Sequence, residues 1–358
     1  MRNGGAERQL VMLAAEQVRA GLQVDVALLY RGPYTEALEA TGAVLHWVGT
    51  GSNHDPRLAW QLVRLIREIR PDIVQSWLRQ MDAFAGLAAR LTRTAWVLSE
   101  RSSEAYYHLS WKDRTVRPWM GRGADAIIAN SRGGDAYWRT RVPSRVRRAV
   151  VPNGLALAEI QRAVVTPAAE LGLLPSEKMV LHANRLSPEK NVETLIAALP
   201  EVSSRVPMVA FLCGDGTHEA DARRLARQHA RPDRIRFMGY RADVWSLMKR
   251  CDLFVSLSHL EGHPNAVIEA AACGAPLVLS DIPAHREIAS DDTAVFVDAT
   301  SVQDVVRGLL HCLTDPAAAA RRAVAARKSV EHLSSARMAD EYAAIYRDVL
   351  IQRGGQAS

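Results

Sequence analysis

Between residues 252 and 281 the chain reads DLFVSLSHLEGHPNAVIEAAACGAPLVLSD, and this run constrains the fold more than any other. Residues 252–257 form a short apolar run of strand length, and 277–279 form another. Between them Pro264 marks the start of a helix and Gly274 its end. Two parallel buried strands joined by a helix make an α/β unit.

The start of that helix carries the chemistry. Glu261 and Gly262 lie in the loop before it, followed by His263, Pro264 and Asn265, while Glu269 sits more than one turn inside. At 1.5 Å rise per residue the two carboxylates are spaced roughly 10 Å apart along one crevice. The N–H groups from Gly262 to Ala266 have no partners one turn back, and with the helix dipole they form an anion site. A diphosphate bound there would leave one glutamate near each of its two sugars. Two glutamates eight residues apart are also compatible with a Glu269 that merely faces solvent.

The longer string decides between these readings. EGHPNAVIEAAACGAPLVLSD resembles the EG(F)PN…EA…GxPV(V) signature of the retaining family 4 glycosyltransferases of the GT-B fold. The resemblance implies two doubly wound Rossmann-like domains facing a cleft, with the nucleotide-sugar donor in the second. The segment 184–191, NRLSPEKN, resembles the family's GRLxxxKN, with Asn184 where Gly is usual. Arg185 and Lys190 are then the expected diphosphate clamp, a planar fork plus a point charge. Gly214-Asp215-Gly216 resembles the family's GDG turn, and Gly239-Tyr240 the turn on which the nucleobase packs, with Arg241 beside it. By the same resemblance Glu261 holds a hydroxyl of the transferred sugar and Glu269 the ribose hydroxyls. It also implies retention of anomeric configuration. With no H-E-x-x-H and no convincing D-x-D in the chain, no resident metal or cofactor is expected.

The N-terminal half carries weaker signals. Asn3 to Arg8 resembles the family's GGAER turn, in which Gly4 and Gly5 let the backbone approach the donor. In the family a central strand precedes this turn, whereas here only Met1 and Arg2 do. The expectation is therefore a first domain lacking an inner strand, or a chain whose start lies upstream. Strands are predicted at 24–30, 44–48, 73–77, 95–98, 125–129 and 149–151, with helices at 9–20, 34–41, 57–69 and 82–91. Residues 100–122 break the pattern, mixing Tyr106, Tyr107, Trp111 and Trp119 with Arg114, Arg117 and Arg122. That mixture suits a lipid interface, a loop stacking on a sugar acceptor, or an ordinary helix with core aromatics. The family often carries His in strand-end loops near 75–77 or 100–102, and none is present. His108 lies nearby without an assigned role.

In the second half strands are predicted at 179–183, 209–213, 235–238, 252–257, 277–279 and 295–297, with a helix at 219–229. The resulting division is 1–163 for the acceptor, 164–334 for the donor, and 335–358 as a helix, about 336–350, crossing back to the first domain.

Composition bears mainly on partners. Residues 1–162 carry 23 Lys and Arg against 15 Asp and Glu, whereas the remainder carries 22 against 24. The basic half suits an anionic membrane surface or nucleic acid, or simply reflects an Arg-rich composition; the family resemblance favours a glycan or lipid-linked acceptor and no nucleic acid. The chain has no apolar run of bilayer length and no apolar leader, so a cytoplasmic protein is expected, peripheral at the inner membrane face. Cys213, Cys251, Cys273 and Cys312 are too dispersed for a metal or disulfide framework. A nicotinamide oxidoreductase is disfavoured because no G-x-G-x-x-G follows a strand. A GT-B sugar-nucleotide epimerase and a non-catalytic GT-B-like binding protein remain as alternatives.

Overall fold

In a computed structural model that describes residues 4–49, 55–107, 112–228 and 231–356, the chain divides into two compact units. Unit 1 comprises Met1–Gly154 and Leu333–Ser358, and unit 2 comprises Leu155–His332. The first boundary falls at Gly154, ahead of the composition change near Val164, because the short helix Leu157–Arg162 packs on the helix Asn265–Ala272 of unit 2. His108 and Trp111 lie outside the described residues, as does the predicted end of the 219–229 helix.

Unit 1 contains β1 (Asp25–Leu28), β2 (Val44–Trp47), β3 (Ile73–Trp77), β4 (Ala95–Glu100), β5 (Ala126–Ala129) and β6 (Arg147–Val150). Every pairing is parallel, as helical crossovers require. Among the described residues these strands form two sheets, β1-β2 and β3-β4-β5-β6. Among the described residues β1 and β3 are not paired, which leaves a break in the sheet between them. Helices span the break on both faces. From the helix Gly5–Arg19, Leu13 packs into the core over β4 and β5, and its neighbour Ala14 into the core over β1. From the helix Arg57–Ile69, Leu58, Leu62, Val63 and Ile66 share one core with Ala27 of β1 and Val74 of β3. Their spacing places them on one apolar face of the helix. The last helix, Ser335–Gln356, gives Met338, Tyr342, Ile345 and Val349 to the core of unit 1.

The basic–aromatic stretch 100–122 splits between its readings. Trp119 is exposed, but Tyr107 is core and Arg117 is buried, which corrects the interfacial reading for that arginine. The Arg117 guanidinium donates to Asp82 and Glu100 and lies against the rings of Tyr107, Tyr137 and Trp138. Tyr107 Oη and Trp138 Nε1 also donate to Glu100.

Unit 2 contains β7 (Lys178–Ala183), β8 (Met208–Cys213), β9 (Ile235–Gly239), β10 (Leu253–Ser256), β11 (Leu277–Ser280) and β12 (Val295–Val297). They form one parallel sheet in the order β12-β11-β10-β7-β8-β9. The chain thus builds outward from β7 to β9, then returns to β7's other side with β10 and builds the opposite way. Strands β8, β10 and β11 are buried along their whole length, as apolar runs between two helical layers must be. Two helices of this unit, Val302–Thr314 and Pro316–Val330, were not anticipated. Their caps were legible: Ser301 and Asp315 accept from the backbone N–H of Asp304 and Ala318.

Candidate functional site

Because β10 returns to the far side of β7, the sheet of unit 2 has its topological switch between these two strands. In open α/β sheets the crevice beyond the carboxyl ends at such a point is where ligands bind. The two sequence segments singled out above leave the sheet here. Asn184–Asn191 follows β7, and Leu257–Asn265 follows β10.

The loop after β7 is shaped by glycines. Asn184 N donates to Cys213 O, and Leu186 N to Asp215 O, so the 214–216 turn closes directly against it. A Cβ on Gly214 would lie 2.1 Å from Asn184 O, and one on Gly216 2.1 Å from Leu186 O. Gly214 also has φ +126°, a region that disfavours L side chains. Gly214 N in turn donates to Gly239 O, which ties the end of β9 to the same edge. Tyr240 next to it is exposed, and Arg241 pairs with Asp243.

The loop after β10 is held by His259 N donating to Glu189 O. That contact sets Glu261 beside Lys190. Lys190 Nζ and Glu261 Oε1 are 2.5 Å apart, and Ser258 Oγ donates to the same oxygen at 2.8 Å. Burial alone would raise the Glu261 carboxyl, but Lys190, with His285 and Ser258, holds it below the ordinary carboxylate range. The glutamate is therefore ionised at neutral pH. Among the described residues its Oε2 has no hydrogen bond. Arg185, by contrast, is exposed and pairs with no carboxylate among the described residues. The two halves of the expected clamp thus differ: Lys190 is fixed, and Arg185 is free to meet an anion.

His263 and Pro264 are buried, and Pro264 caps the helix Asn265–Ala272. Its carbonyl accepts from Val267 and Ile268, and Asn265 and Ala266 precede them in the first turn. Glu269 is buried rather than facing solvent, and its Oε2 accepts from Trp245 Nε1 at 2.9 Å. Unit 2 thus brings together Arg185, Lys190, Glu261, Gly262, His263, Pro264 and Asn265. Glu269 lies farther along the same helix, and Gly239 and Tyr240 lie at the end of β9. Gly4 and Gly5 belong to unit 1, where Gly4 caps the opening helix.

Four supporting side chains carry no local signal that would have selected them. Trp245 holds Glu269 from 24 positions away, a separation with no local signature. Ser258 braces Glu261. His182, the penultimate residue of β7, is buried with its pKa pushed down to about 4 by desolvation, and its Nδ1 lies 3.2 Å from Val255 O. His285 is likewise buried and lowered by desolvation, with Nδ1 2.9 Å from Ser280 O.

Known proteins share both the sequence and the fold. Residues 168–329 match the family described as glycosyl transferases group 1, and residues 3–159 match glycosyltransferase family 4. A glycogen synthase of Mycobacterium tuberculosis is 31% identical over 276 residues, which are 73% of this chain and 65% of that protein. An N-acetyl-alpha-D-glucosaminyl L-malate synthase of Bacillus anthracis is 27% identical over 51% of this chain and 48% of its own. The chain therefore spans about half to two thirds of the length of these two relatives. A GDP-mannose-dependent phosphatidylinositol monomannoside mannosyltransferase of Mycolicibacterium smegmatis is 27% identical over 91% of this chain and 90% of its own. Among solved structures, Anabaena HepE in complex with UDP-glucose superposes with TM-score 0.83 at 22% identity, over 98% of this chain and 96% of that one. A sucrose-phosphate synthase of Thermosynechococcus elongatus gives TM-score 0.79 at 20% identity, over 98% and 94%. These likenesses establish two Rossmann-like units of the GT-B type.

Proposed function

The chain belongs to the group 1 glycosyltransferases of family 4, and on that premise we propose that it moves a sugar from a nucleotide diphosphate sugar to a glycan or lipid-linked acceptor, with retention of configuration. The observation that carries this reading is the convergence of Arg185, Lys190 and the Asn265–Ala272 helix start at the switch point between β7 and β10. Transfer breaks the bond between the anomeric carbon and the diphosphate oxygen, and that oxygen gains charge as it leaves. Arg185, Lys190 and the helix N–H groups are preorganised donors for that charge. Glu261 has two tasks in this reading. Its Oε1 fixes Lys190, and its unengaged Oε2 accepts from a sugar hydroxyl. Glu269, braced by Trp245, accepts from the ribose.

The charges fit the diphosphate shared by UDP-glucose, bound in the HepE structure, and GDP-mannose, the donor of the mannosyltransferase relative. No metal is needed in this scheme because the cationic side chains take the leaving charge, so activity should survive EDTA. Unit 1 takes the acceptor, peripheral to the inner membrane face where the acceptor is a lipid. Among the described residues no helix is long and apolar enough to cross a membrane.

A thermal-shift panel of nucleotide sugars on the wild type and Glu269→Ala tests the site. A donor at 100 times its Kd should add about 2.7 kcal/mol of stability to the wild type, and that gain should vanish in the variant. The absence of a shift with every donor would overturn the reading. NMR of the anomeric signal in the first-formed product tests retention separately.

A further inference from the structure

At the opposite end of the unit 1 sheet, by the amino ends of β3 and β4, lies a recess of about 590 Å³ lined by Arg67, Arg70, Arg93 and Arg353. Asp72 is the single carboxylate of its lining. Arg353 is committed, donating to Asp125 and to the carbonyl of Arg93. The other three guanidinium groups have no ion pair or hydrogen bond among the described residues. Like charges converging on one recess repel each other, so this arrangement is unfavourable unless an anion compensates it.

The backbone strengthens the point. Arg70 caps the helix Arg57–Ile69 with φ 53°, and Arg93 caps Arg79–Thr92 with φ 58°. Left-handed positions that end helices are usually glycine, because a side chain there crowds the backbone. Two helices therefore end on a conformationally costly arginine, and both arginines border the same recess. Cations also interact favourably with helix C-termini, but that interaction is satisfied from any position in the last turn and does not require convergence. Leu350 also lines the recess and is 39% exposed.

We infer that this recess binds a phosphate group, outside the donor site and independently of the reading proposed for it. Phosphate matches the forked donors of arginine, and it reaches the recess either on an anionic phospholipid or on a free phosphorylated solute.

The test compares the wild type with Arg67→Gln/Arg70→Gln/Arg93→Gln, leaving Arg353 to hold Asp125. Arg223→Gln/Arg224→Gln/Arg227→Gln, on the other unit, controls for net charge. In one arm, co-sedimentation at low salt with phosphatidylglycerol or phosphatidylcholine vesicles is measured. In the other, inorganic phosphate is titrated by thermal shift in a Lys190→Ala background, which weakens the donor site. Loss of phosphatidylglycerol binding in the recess variant alone, on the order of 100-fold for three arginines, assigns the lipid source. Loss of phosphate stabilisation alone assigns the free solute. If the recess variant matches the wild type in both arms, the inference is wrong. If the triple variant fails to fold, the exposed single changes Arg67→Gln and Arg70→Gln, each expected to weaken binding several-fold, decide between the same outcomes. Failure here leaves the nucleotide-sugar panel untouched, since that panel reads Glu269.

Discussion

Strands β3 and β7 are both flanked by helices on two faces, yet one lies at a break and the other at the centre of a sheet. β7 pairs with β8 and β10 and is buried over most of its length, with its carboxyl end between the two loops that carry the candidate site. β3 pairs with β4 alone among the described residues, and four of its five residues are partly exposed. The difference teaches where each unit places its order. Unit 2 draws it from a continuous ladder and can position polar groups at its edge. Unit 1 relies more on side chains that tie neighbouring elements, above all the buried Arg117 linking Asp82 on one helix to Glu100 at the end of β4.

The sharpest way to break this comparison is Arg117→Met. It leaves Asp82 and Glu100 buried without their counter-ion and should destabilise unit 1 by about 3–5 kcal/mol. Urea unfolding followed by hydrogen exchange should show the loss in unit 1 alone. An equal loss in both units would mean that they do not differ as argued.

Next in size is Lys190→Ala, which should lower the transfer rate on the order of 10²–10³-fold without moving the unit 1 transition. Initial rates at saturating donor, with melting curves alongside, decide it.

Acid should act on unit 2 through His182. Its folded pKa of about 4 lies below the ordinary 6.5. Between these values the unfolded chain binds a proton that the folded one does not. Stability therefore falls as pH drops from 6.5 to about 4, by roughly 3 kcal/mol. His182→Leu should flatten the profile across this window, which pH-dependent denaturation would reveal.

The smallest of these effects is Gly214→Ala. Its methyl meets Asn184 O in a strained backbone and should cost about 1–3 kcal/mol. Donor affinity should weaken through the displaced Arg185 loop, measurable as a raised KM, while unit 1 is unaffected.

What the sequence made legible follows the reach of each interaction. The alternation of strands and helices was visible because it is written in local apolar runs. The residues of the β7 and β10 loops were visible because each segment is contiguous. The pairing of Lys190 with Glu261 joins positions 71 apart and was not read, so Glu261 was assigned to the sugar alone. Arg117 was grouped with interfacial cations because its partners Asp82 and Glu100 carry no mark of burial in the sequence. The arginines around the recess were passed over for the same reason. Their convergence depends on two helix ends and on a third helix more than 250 residues away.

The division of the chain also sets an order in time. The core of unit 1 needs Met338, Tyr342, Ile345 and Val349, which leave the ribosome after all of unit 2. At synthesis rates of about 5–20 residues per second, residues 5–154 wait on the order of ten seconds or more for the helix that completes them. At the end of that interval unit 2 is complete and has the means to fold by itself, whereas unit 1 still lacks its last helix. A released fragment ending at residue 332 should already resist protease across 155–332 while its first 154 residues remain open to cleavage and to chaperones.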